Sequence, residues 1–240
     1  EQGATCKSAL DFIRDYVNAQ DVRPLDRGFD VVYADDQSDA VTAGAKTREL
    51  EQGNVLLVVG PLTSPQTLEV QKVTGAAHLT QITPFAGATA IATSQGSLHE
   101  RFLFSLSPTI RGGSPLALVK YLNEQNKTPA APKCRSTYVI HNDDVTGKDF
   151  YCTYDNLFRI NDMCVGGHAP LSTNLKDSYA AEVTKMVAAK PDCVILATNP
   201  DVGGAVLEEV ERRFPPPAKA PWAWLGNTQT HTPEFLSTTK

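Results

Sequence analysis

Short β-branched runs alternate with stretches of helical periodicity along the whole chain, and this alternation constrains the fold more than any other feature. In the first half, residues 29–36 and 55–60 have the composition of strands, and residues 38–51 have that of a helix. The run 55–60 is rich in Val and Leu without polar alternation, which is typical of a parallel strand buried on both faces. A chain of this kind forms right-handed βαβ crossovers, with helices on both faces of its sheets.

The second half of the chain repeats the pattern. Strands are predicted at 137–142, 164–168, 193–198 and 222–226, with helices between them. The sequence therefore predicts an α/β fold of two doubly wound, Rossmann-like lobes with parallel sheets. The predicted boundaries are 1–108 for the first lobe, 109–228 for the second lobe and 229–240 for a returning hinge segment.

Charge and motif content exclude several classes of function. The chain has 22 Lys and Arg against 27 Asp and Glu and no basic block that could neutralise a phosphate backbone, so no nucleic-acid partner is expected. No apolar run approaches the ~20 residues of a membrane-spanning helix. The sequence also lacks a glycine-rich nucleotide-binding loop, a G-x-S-x-G nucleophile turn and a C-x-x-C metal-binding pair. We therefore expect neither a cofactor nor a metal.

The residues just after each strand are the best candidates for a functional site, because open parallel sheets bind ligands beyond the carboxyl ends of their strands. Thr63 and Ser64 precede Pro65, and Ser64 is expected to cap a helix that begins at Pro65. The N–H groups and the positive dipole end of such a helix suit a carboxylate or a phosphate. A plain helix cap explains the same residues without a ligand. The other candidate segments are 35–36, 84–88, 141–144 and 199–201.

Clustered carboxylates leave a catalytic alternative open. Asp35, Asp36 and Asp39 could hold Mg²⁺ for phosphoryl chemistry, since this cation favours oxygen ligands. The same residues suit a strand end and the first turn of the following helix. Asp143 and Asp144 offer the same two interpretations. A metal-dependent hydrolase that uses Asp35, Asp36 and Asp144 therefore stands as an alternative function.

Six short segments are informative when they are taken together, in the order in which they occur along the chain. They are YVNA at 16–19, YADD at 33–36, VVGPLTS at 58–64, TPFAGA at 83–88, HNDDVTG at 141–147 and KPDCV at 190–194. This ordered set resembles the type I periplasmic solute-binding proteins, in particular the branch that binds branched-chain amino acids and amides. In that family, the first strand would precede Glu1, and later helices and returning strands would follow Lys240.

The resemblance implies a non-enzymatic function. It implies an extracytoplasmic substrate-binding protein of an ABC-type transporter, with its signal peptide removed, that closes two lobes around an amino acid or a related small carboxylate or amide. The implied partners are this small-molecule ligand and a membrane permease. The implied location is periplasmic or extracellular, with or without a lipid anchor. A ligand-sensing domain of a receptor or regulator with the same fold is the alternative.

The same resemblance implies a set of ligand-binding residues. A ligand carboxylate would be held by the helix start at Thr63 and Ser64 and by the next loop of the first lobe. The second lobe would add Thr146, Asn199 and Asp201. Thr146 stands where the family usually has an aromatic residue. Asp201 lies near the position, after the strand that begins at Cys193, where the family usually has an acidic residue. The loop residues of the first lobe are Phe85, Ala86 and Gly87.

The strand order of such a lobe also bears on the cysteines. In the usual 2-1-3 order, the strands that begin at Cys164 and Cys193 flank the strand that follows Cys134. A disulfide from Cys134 to Cys164 or Cys193 is therefore predicted at the amino ends of the strands, away from the ligand. Free buried thiols are the alternative.

Overall fold

The chain divides into two compact units, each of which is described by itself. Unit 1 comprises Glu1–Ala86 and Ser94–Ser107, and unit 2 comprises Gly87–Thr93 and Pro108–Lys240. The predicted hinge segment 229–240 lies outside the described residues, and the predicted lobe boundaries remain predictions. The structure, a computed structural model, describes residues 2–21, 27–94, 102–128, 133–215 and 220–226.

Unit 1 contains a parallel sheet of three strands among its described residues. Its elements are α1 (Gln2–Asn18), α2 (Ala40–Gln52), β1 (Leu57–Val59), α3 (Ser64–Ala76), β2 (Thr80–Thr83) and β3 (Leu103–Ser105). The sheet order is β1-β2-β3, so β2 is the central strand. Asp39 is the N-cap of α2 and accepts a hydrogen bond from Thr42 N at 2.7 Å, which fixes where this helix begins.

The predicted strand at 29–36 is wrong, because no residue of this segment lies in a strand. The side chain of Asn18 hydrogen-bonds to both backbone polar groups of Phe29. It donates to the carbonyl oxygen at 2.8 Å and accepts from the N–H at 3.0 Å. Val32 and Tyr33 are 66% and 39% exposed. Apolar alternation forms a strand only where a neighbouring strand accepts its hydrogen bonds, and no strand of the described residues pairs with this segment.

The strand predicted at 55–60 is correct in position but wrong in burial. β1 is an edge strand that pairs with β2 alone among the described strands. Leu57 and Val59 are 44% and 48% exposed. A parallel strand is buried only when other elements cover both of its faces, and that cover is incomplete at β1.

Unit 2 is built on a longer parallel sheet. Its elements are α4 (Thr89–Thr93), a 3-10 turn (Ile110–Gly112), α5 (Ser114–Lys127), β4 (Ser136–Asn142), α6 (Val145–Arg159), β5 (Cys164–Leu171), α7 (Ala180–Ala188), β6 (Cys193–Ala197), α8 (Pro200–Arg213) and β7 (Ala223–Gly226). The strand order is β5-β4-β6-β7, and every pairing is parallel. The predicted α/β fold class with parallel sheets is confirmed, and so is the predicted placement of β5 and β6 on either side of β4.

The core of unit 2 is centred on β6. All five of its residues are between 0% and 2% exposed. Val194 and Leu196 belong to a cluster that also contains residues of β4, β5, α7 and α8, together with Tyr179, the N-cap residue of α7. The carboxyl ends of β4 and β6, where the second set of candidate residues begins, are therefore attached to the most buried part of the chain.

A disulfide joins Cys134 to Cys193, with their Cα atoms 5.4 Å apart. It confirms one of the two predicted pairings and ties the segment before β4 to the start of β6, at the amino ends of the strands. Cys164, the other predicted partner, is a free and exposed cysteine.

In the parts of the chain that the structure describes, no helix is both long and apolar enough to cross a membrane.

Candidate functional site

The first candidate segment links β1 to α3. Thr63 is the N-cap of α3, with extended backbone angles, and Ser64 is the first residue of the helix. The prediction that Ser64 caps the helix is therefore wrong by one residue, because Thr63 takes the extended conformation that a cap requires. The Thr63 hydroxyl does not cap the helix and donates instead to Oε1 of Gln66. Ser64 is 2% exposed, whereas Thr63 is exposed.

The second candidate segment follows β2 and is held by serine side chains that the sequence analysis missed. Ser107 Oγ donates to the carbonyl oxygen of Pro84 at 2.8 Å, and Ser105 Oγ donates to that of Ala86 at 3.3 Å. Ala86 is 2% exposed, but the Phe85 side chain between these two anchors is 65% exposed. The loop is thus fixed through its backbone and presents an aromatic ring to solvent.

Gly87 belongs to unit 2, and its neighbours require a glycine. A Cβ atom at this position would lie 2.9 Å from the carbonyl oxygen of Pro108. The Gly87 carbonyl oxygen also accepts a hydrogen bond from Ile110 N at 2.7 Å. A side chain here would push the loop away from the segment that holds it.

In unit 2, two asparagines connect the carboxyl ends of β4 and β6. The Nδ2 of Asn142 donates to Oδ1 of Asn199 at 2.9 Å, and the Oδ1 of Asn142 accepts from Asn199 N at 3.2 Å. Asn142 is 3% exposed, so these bonds are shielded from water. Because its side chain is used in this way, Asn199 occupies the N-cap position of α8 without capping the helix.

The predicted residues Thr146 and Asp201 both lie in the first turn of a helix. Thr146 is the second residue of α6 and is half-buried, and Asp201 is the second residue of α8 and is exposed. The Asp201 carboxylate accepts from Val202 N at 2.9 Å. Thr198, the residue after β6, is fully buried, and its hydroxyl has no hydrogen-bond partner among the described residues.

The carboxylates that could have held a magnesium ion are engaged locally. Asp35 and Asp36 accept hydrogen bonds from the backbone of Gln37 and Ser38 at 2.9 Å each, in the turn before α2. This matches the turn-and-cap interpretation of the cluster.

The acidic pair at the start of α6 is engaged in the same way. Asp144 is the N-cap of α6 and accepts from Gly147 N at 2.7 Å. Asp143 pairs with Lys148 Nζ at 2.9 Å, and the hydrogen bond from this ammonium group lowers the pKa of Asp143. No group of three or more metal-binding side chains occurs in the described ranges.

Two histidines on neighbouring strands, His141 on β4 and His168 on β5, form a pair. His141 Nε2 lies 3.1 Å from His168 Nδ1, and His141 Nδ1 lies 2.8 Å from the carbonyl oxygen of Asn142. The His168 ring stacks on Tyr151 with 4.0 Å between ring centroids. His141 is 2% exposed, and burial lowers its pKa, with the nearby His168 acting in the same direction. His141 is therefore neutral at pH 7, and its ring contacts the backbone of Asn142, its neighbour in the candidate segment 141–144.

Asp149 is a further residue that the sequence analysis missed. It lies on α6 with its side chain 11% exposed, and its Oδ2 accepts a hydrogen bond from Thr89 N at 2.6 Å. The partners are 60 residues apart in sequence, so no local pattern could have predicted the contact.

Comparison with known proteins gives one family and many structures of the same fold. The family model of the periplasmic binding proteins matches residues 1–232. A leucine binding protein, LivK, from Thermotoga maritima has a TM-score of 0.78 at 12% identity, over 94% of this chain and 59% of that chain. An ABC transporter substrate-binding protein from Desulfitobacterium hafniense, in complex with Leu, has a TM-score of 0.69 at 18% identity, over 92% of this chain and 61% of that chain.

A third structure has a different bound molecule. It is a solute binding protein of an ABC transporter from Rhodopseudomonas palustris BisB5 in complex with 3,4-dihydroxy benzoic acid, with a TM-score of 0.76 at 16% identity, over 95% of this chain and 59% of that chain. The chain thus spans between 59% and 61% of the length of these three structures. No sequence among the curated proteins matches it. Because the family model matches nearly the whole chain, this protein belongs to the periplasmic binding protein family.

Proposed function

We propose that this chain is the ligand-binding part of an extracytoplasmic substrate-binding protein that closes two lobes around a small carboxylate. The observation that carries the proposal is the position of the candidate residues. In each unit they follow the carboxyl ends of parallel strands, at the starts of α3, α6 and α8. Parallel α/β sheets bind their ligands at this edge.

We assign the carboxylate of the ligand to the start of α3. The side chain of the N-cap Thr63 accepts no hydrogen bond from the backbone N–H groups in the first turn of this helix. The backbone N–H groups of a first turn carry the positive end of the helix dipole, so they favour an anion. Ser64 adds a hydroxyl at this position, and the Phe85 ring in the next loop is exposed enough to pack on the ligand.

We assign the other end of the ligand to Thr146, Asn199 and Asp201. Asp201 is an exposed carboxylate in the first turn of α8, and it would neutralise an amino group. The bound molecules of two structures with this fold, Leu and 3,4-dihydroxy benzoic acid, both contain a carboxyl group, but only Leu contains an amino group. Dependence on Asp201 therefore distinguishes an amino-acid ligand from a simple carboxylate.

The proposed partner is the permease of an ABC transporter, and the proposed location is the periplasm or the extracellular space. Similarity to transporter substrate-binding proteins supports the permease, although that similarity is to their fold. The Cys134–Cys193 disulfide supports an oxidising compartment. Binding and release of the ligand involve no catalytic step, so the proposal assigns no enzymatic activity.

Isothermal titration calorimetry against leucine, other amino acids, their amides and aromatic acids such as 3,4-dihydroxybenzoate tests the proposal. We expect saturable heat with one of these classes. Absence of heat with every class contradicts the proposal.

Two substitutions then test the assigned roles. For an amino-acid ligand, Asp201→Ala should weaken binding by ~2–5 kcal/mol, because the ligand amino group loses its charged partner. Ser64→Ala should cost on the order of 0.5–1.5 kcal/mol, the value of one neutral hydrogen bond. Glu208→Ala, on the exposed face of the same helix as Asp201, is the matched control and should bind as the parent does. If Ser64→Ala weakens binding and Asp201→Ala does not, the ligand lacks an amino group and the role of Asp201 is wrong.

A further inference from the structure

Asp149 connects two separate segments of unit 2. Its Oδ2 accepts a hydrogen bond from the N–H of Thr89, the first residue of α4, at 2.6 Å. The Asp149 side chain is 11% exposed. Arg111 Nε lies 3.9 Å from Oδ1, but the Arg111 side chain is 69% exposed, so this ion pair is weak. The bond from Thr89 is therefore the close contact that fixes the carboxylate.

Both connected segments carry candidate ligand-binding residues. Thr89 follows Gly87 by two residues, and Asp149 follows Thr146 by three residues on α6. Residues three apart on a helix lie on the same face, so Asp149 and Thr146 share one side of α6. The Gly87 carbonyl oxygen is also held by Ile110 N at 2.7 Å. The Thr89–Asp149 bond thus connects the segment that contains Gly87 to the helix that contains Thr146.

The hydrogen bond between the Thr89 N–H and the Asp149 carboxylate is of a strong type. A backbone N–H that donates to a carboxylate forms a charge-assisted bond, which is shorter and stronger than a bond between neutral groups. Low exposure keeps water from competing for the carboxylate. The Thr89 hydroxyl is buried and has no partner among the described residues, so the backbone N–H provides the polar connection of this residue to α6.

We propose that Asp149 is a positioning residue of the ligand site, which sets the spacing of Gly87 and Thr146 by holding the N–H of Thr89. The inference rests on the proposed function, because Gly87 and Thr146 are assigned there as ligand contacts. Asp149 acts through Thr89 and does not itself touch the ligand.

The first test needs no ligand. Hydrogen exchange of the Thr89 amide is measured by NMR in the parent chain, in Asp149→Leu, which has a similar size but no acceptor, and in Asp149→Asn, which keeps an acceptor oxygen. We expect exchange about 10- to 100-fold faster in the Leu variant, the factor that corresponds to losing a hydrogen bond to a charged group. The exchange rate of the Thr89 amide in Asp149→Asn should lie between those of the parent chain and Asp149→Leu. Asp155→Leu and Asp155→Asn are the matched controls on α6, where Asp155 pairs with Arg159 in the next turn.

The result that overturns the proposed bond is Thr89 exchange in Asp149→Leu equal to that in the parent. If Asp149→Leu does not fold, the comparison of Asp149→Asn with Asp155→Asn decides, and equal Thr89 exchange in these two variants overturns the bond. These outcomes do not depend on a ligand, so they stay separate from a failure of the proposed function.

The second test measures the affinity for leucine or 3,4-dihydroxybenzoate, whichever binds the parent chain. Asp149→Leu should weaken this affinity about 10-fold or more, and Asp149→Asn should weaken it less. Asp155→Leu should leave the affinity unchanged. Faster Thr89 exchange with unchanged affinity overturns the positioning role. If neither compound binds the parent chain, the proposed function fails for these ligands, and the positioning role that rests on it is overturned with it.

Discussion

The two sheets of this molecule arise from similar sequence patterns but differ in burial. β1 and β6 are both apolar runs rich in Val and Leu or Ile. β6 lies between β4 and β7, and all of its residues are between 0% and 2% exposed. Among the described strands, β1 pairs with β2 alone, and Leu57 and Val59 remain 44% and 48% exposed. An apolar run therefore predicts a strand, whereas the burial of that strand depends on which elements surround it.

The largest expected effect is on the core strand of unit 2. Ile195→Ala should lower the free energy of unfolding by ~2–5 kcal/mol, because it removes buried methyl groups and leaves a cavity. Val59→Ala on β1 should cost less than ~1 kcal/mol, since half of that side chain is already in contact with water. Urea unfolding followed by circular dichroism compares the two variants, and fluorescence of Trp222 and Trp224 reports on unit 2 alone. Equal costs would show that β1 is as buried as β6 in solution.

The disulfide sharpens the same comparison. Cys134 and Cys193 are 59 residues apart, and the bridge restricts the unfolded chain of unit 2. Replacing both by Ala should cost ~2–4 kcal/mol, and the loss should appear in the tryptophan signal. Replacing the exposed Cys152 should change stability by less than ~0.5 kcal/mol. Alkylation without reductant should label Cys6, Cys152 and Cys164, and labelling of all five cysteines contradicts the pairing.

Acid should weaken unit 2 through His141. Burial lowers the pKa of His141 in the folded state, so below its ordinary value of about 6.5 the unfolded chain binds a proton that the folded chain does not. Stability should therefore fall as the pH decreases below about 6.5, with a limiting slope of about 1.4 kcal/mol per pH unit for this one group.

A substitution isolates this contribution. In His141→Gln, stability should fall less steeply with decreasing pH, because the contribution of His141 is removed. Urea unfolding followed by the tryptophan signal between pH 7 and pH 5 provides the measurement. His78→Gln, at an exposed position of unit 1, is the control, because the tryptophan signal comes from unit 2. The same slope in His141→Gln and in the parent would show that His141 is not the acid-sensitive group.

Local and periodic features were predictable from the sequence. The strands of unit 2 follow from regular strand–helix alternation, and their order around β4 is the usual 2-1-3 order expected of a lobe of this kind. The start of α6 at Asp144 has its signal in the sequence itself, since a capping side chain acts on the N–H groups of its own first turn. Two pairings were predicted for the disulfide, because the expected strand order places both Cys164 and Cys193 next to Cys134.

Contacts between distant segments were not predictable. The bonds of Asn18 to Phe29, of Asp149 to Thr89 and of His141 to His168 each join residues more than ten positions apart, and no single-sequence pattern encodes such partners. The same limit explains the failed strand at 29–36, because its backbone partner turned out to be a side chain of α1. It also explains the burial error at β1, since exposure depends on neighbours that the run itself does not specify.

Hydrogen exchange mass spectrometry with and without the compound that gives heat in calorimetry tests the central claim most directly. If a small carboxylate binds at the carboxyl ends of the strands, exchange should slow in four segments and stay unchanged in α1, α2 and α7. The four segments are 62–66, 84–89, 142–147 and 199–203. No slowing in any of these segments, or slowing confined to the open groove lined by Arg48, Lys72 and Ala76 between α2 and α3, would contradict the account.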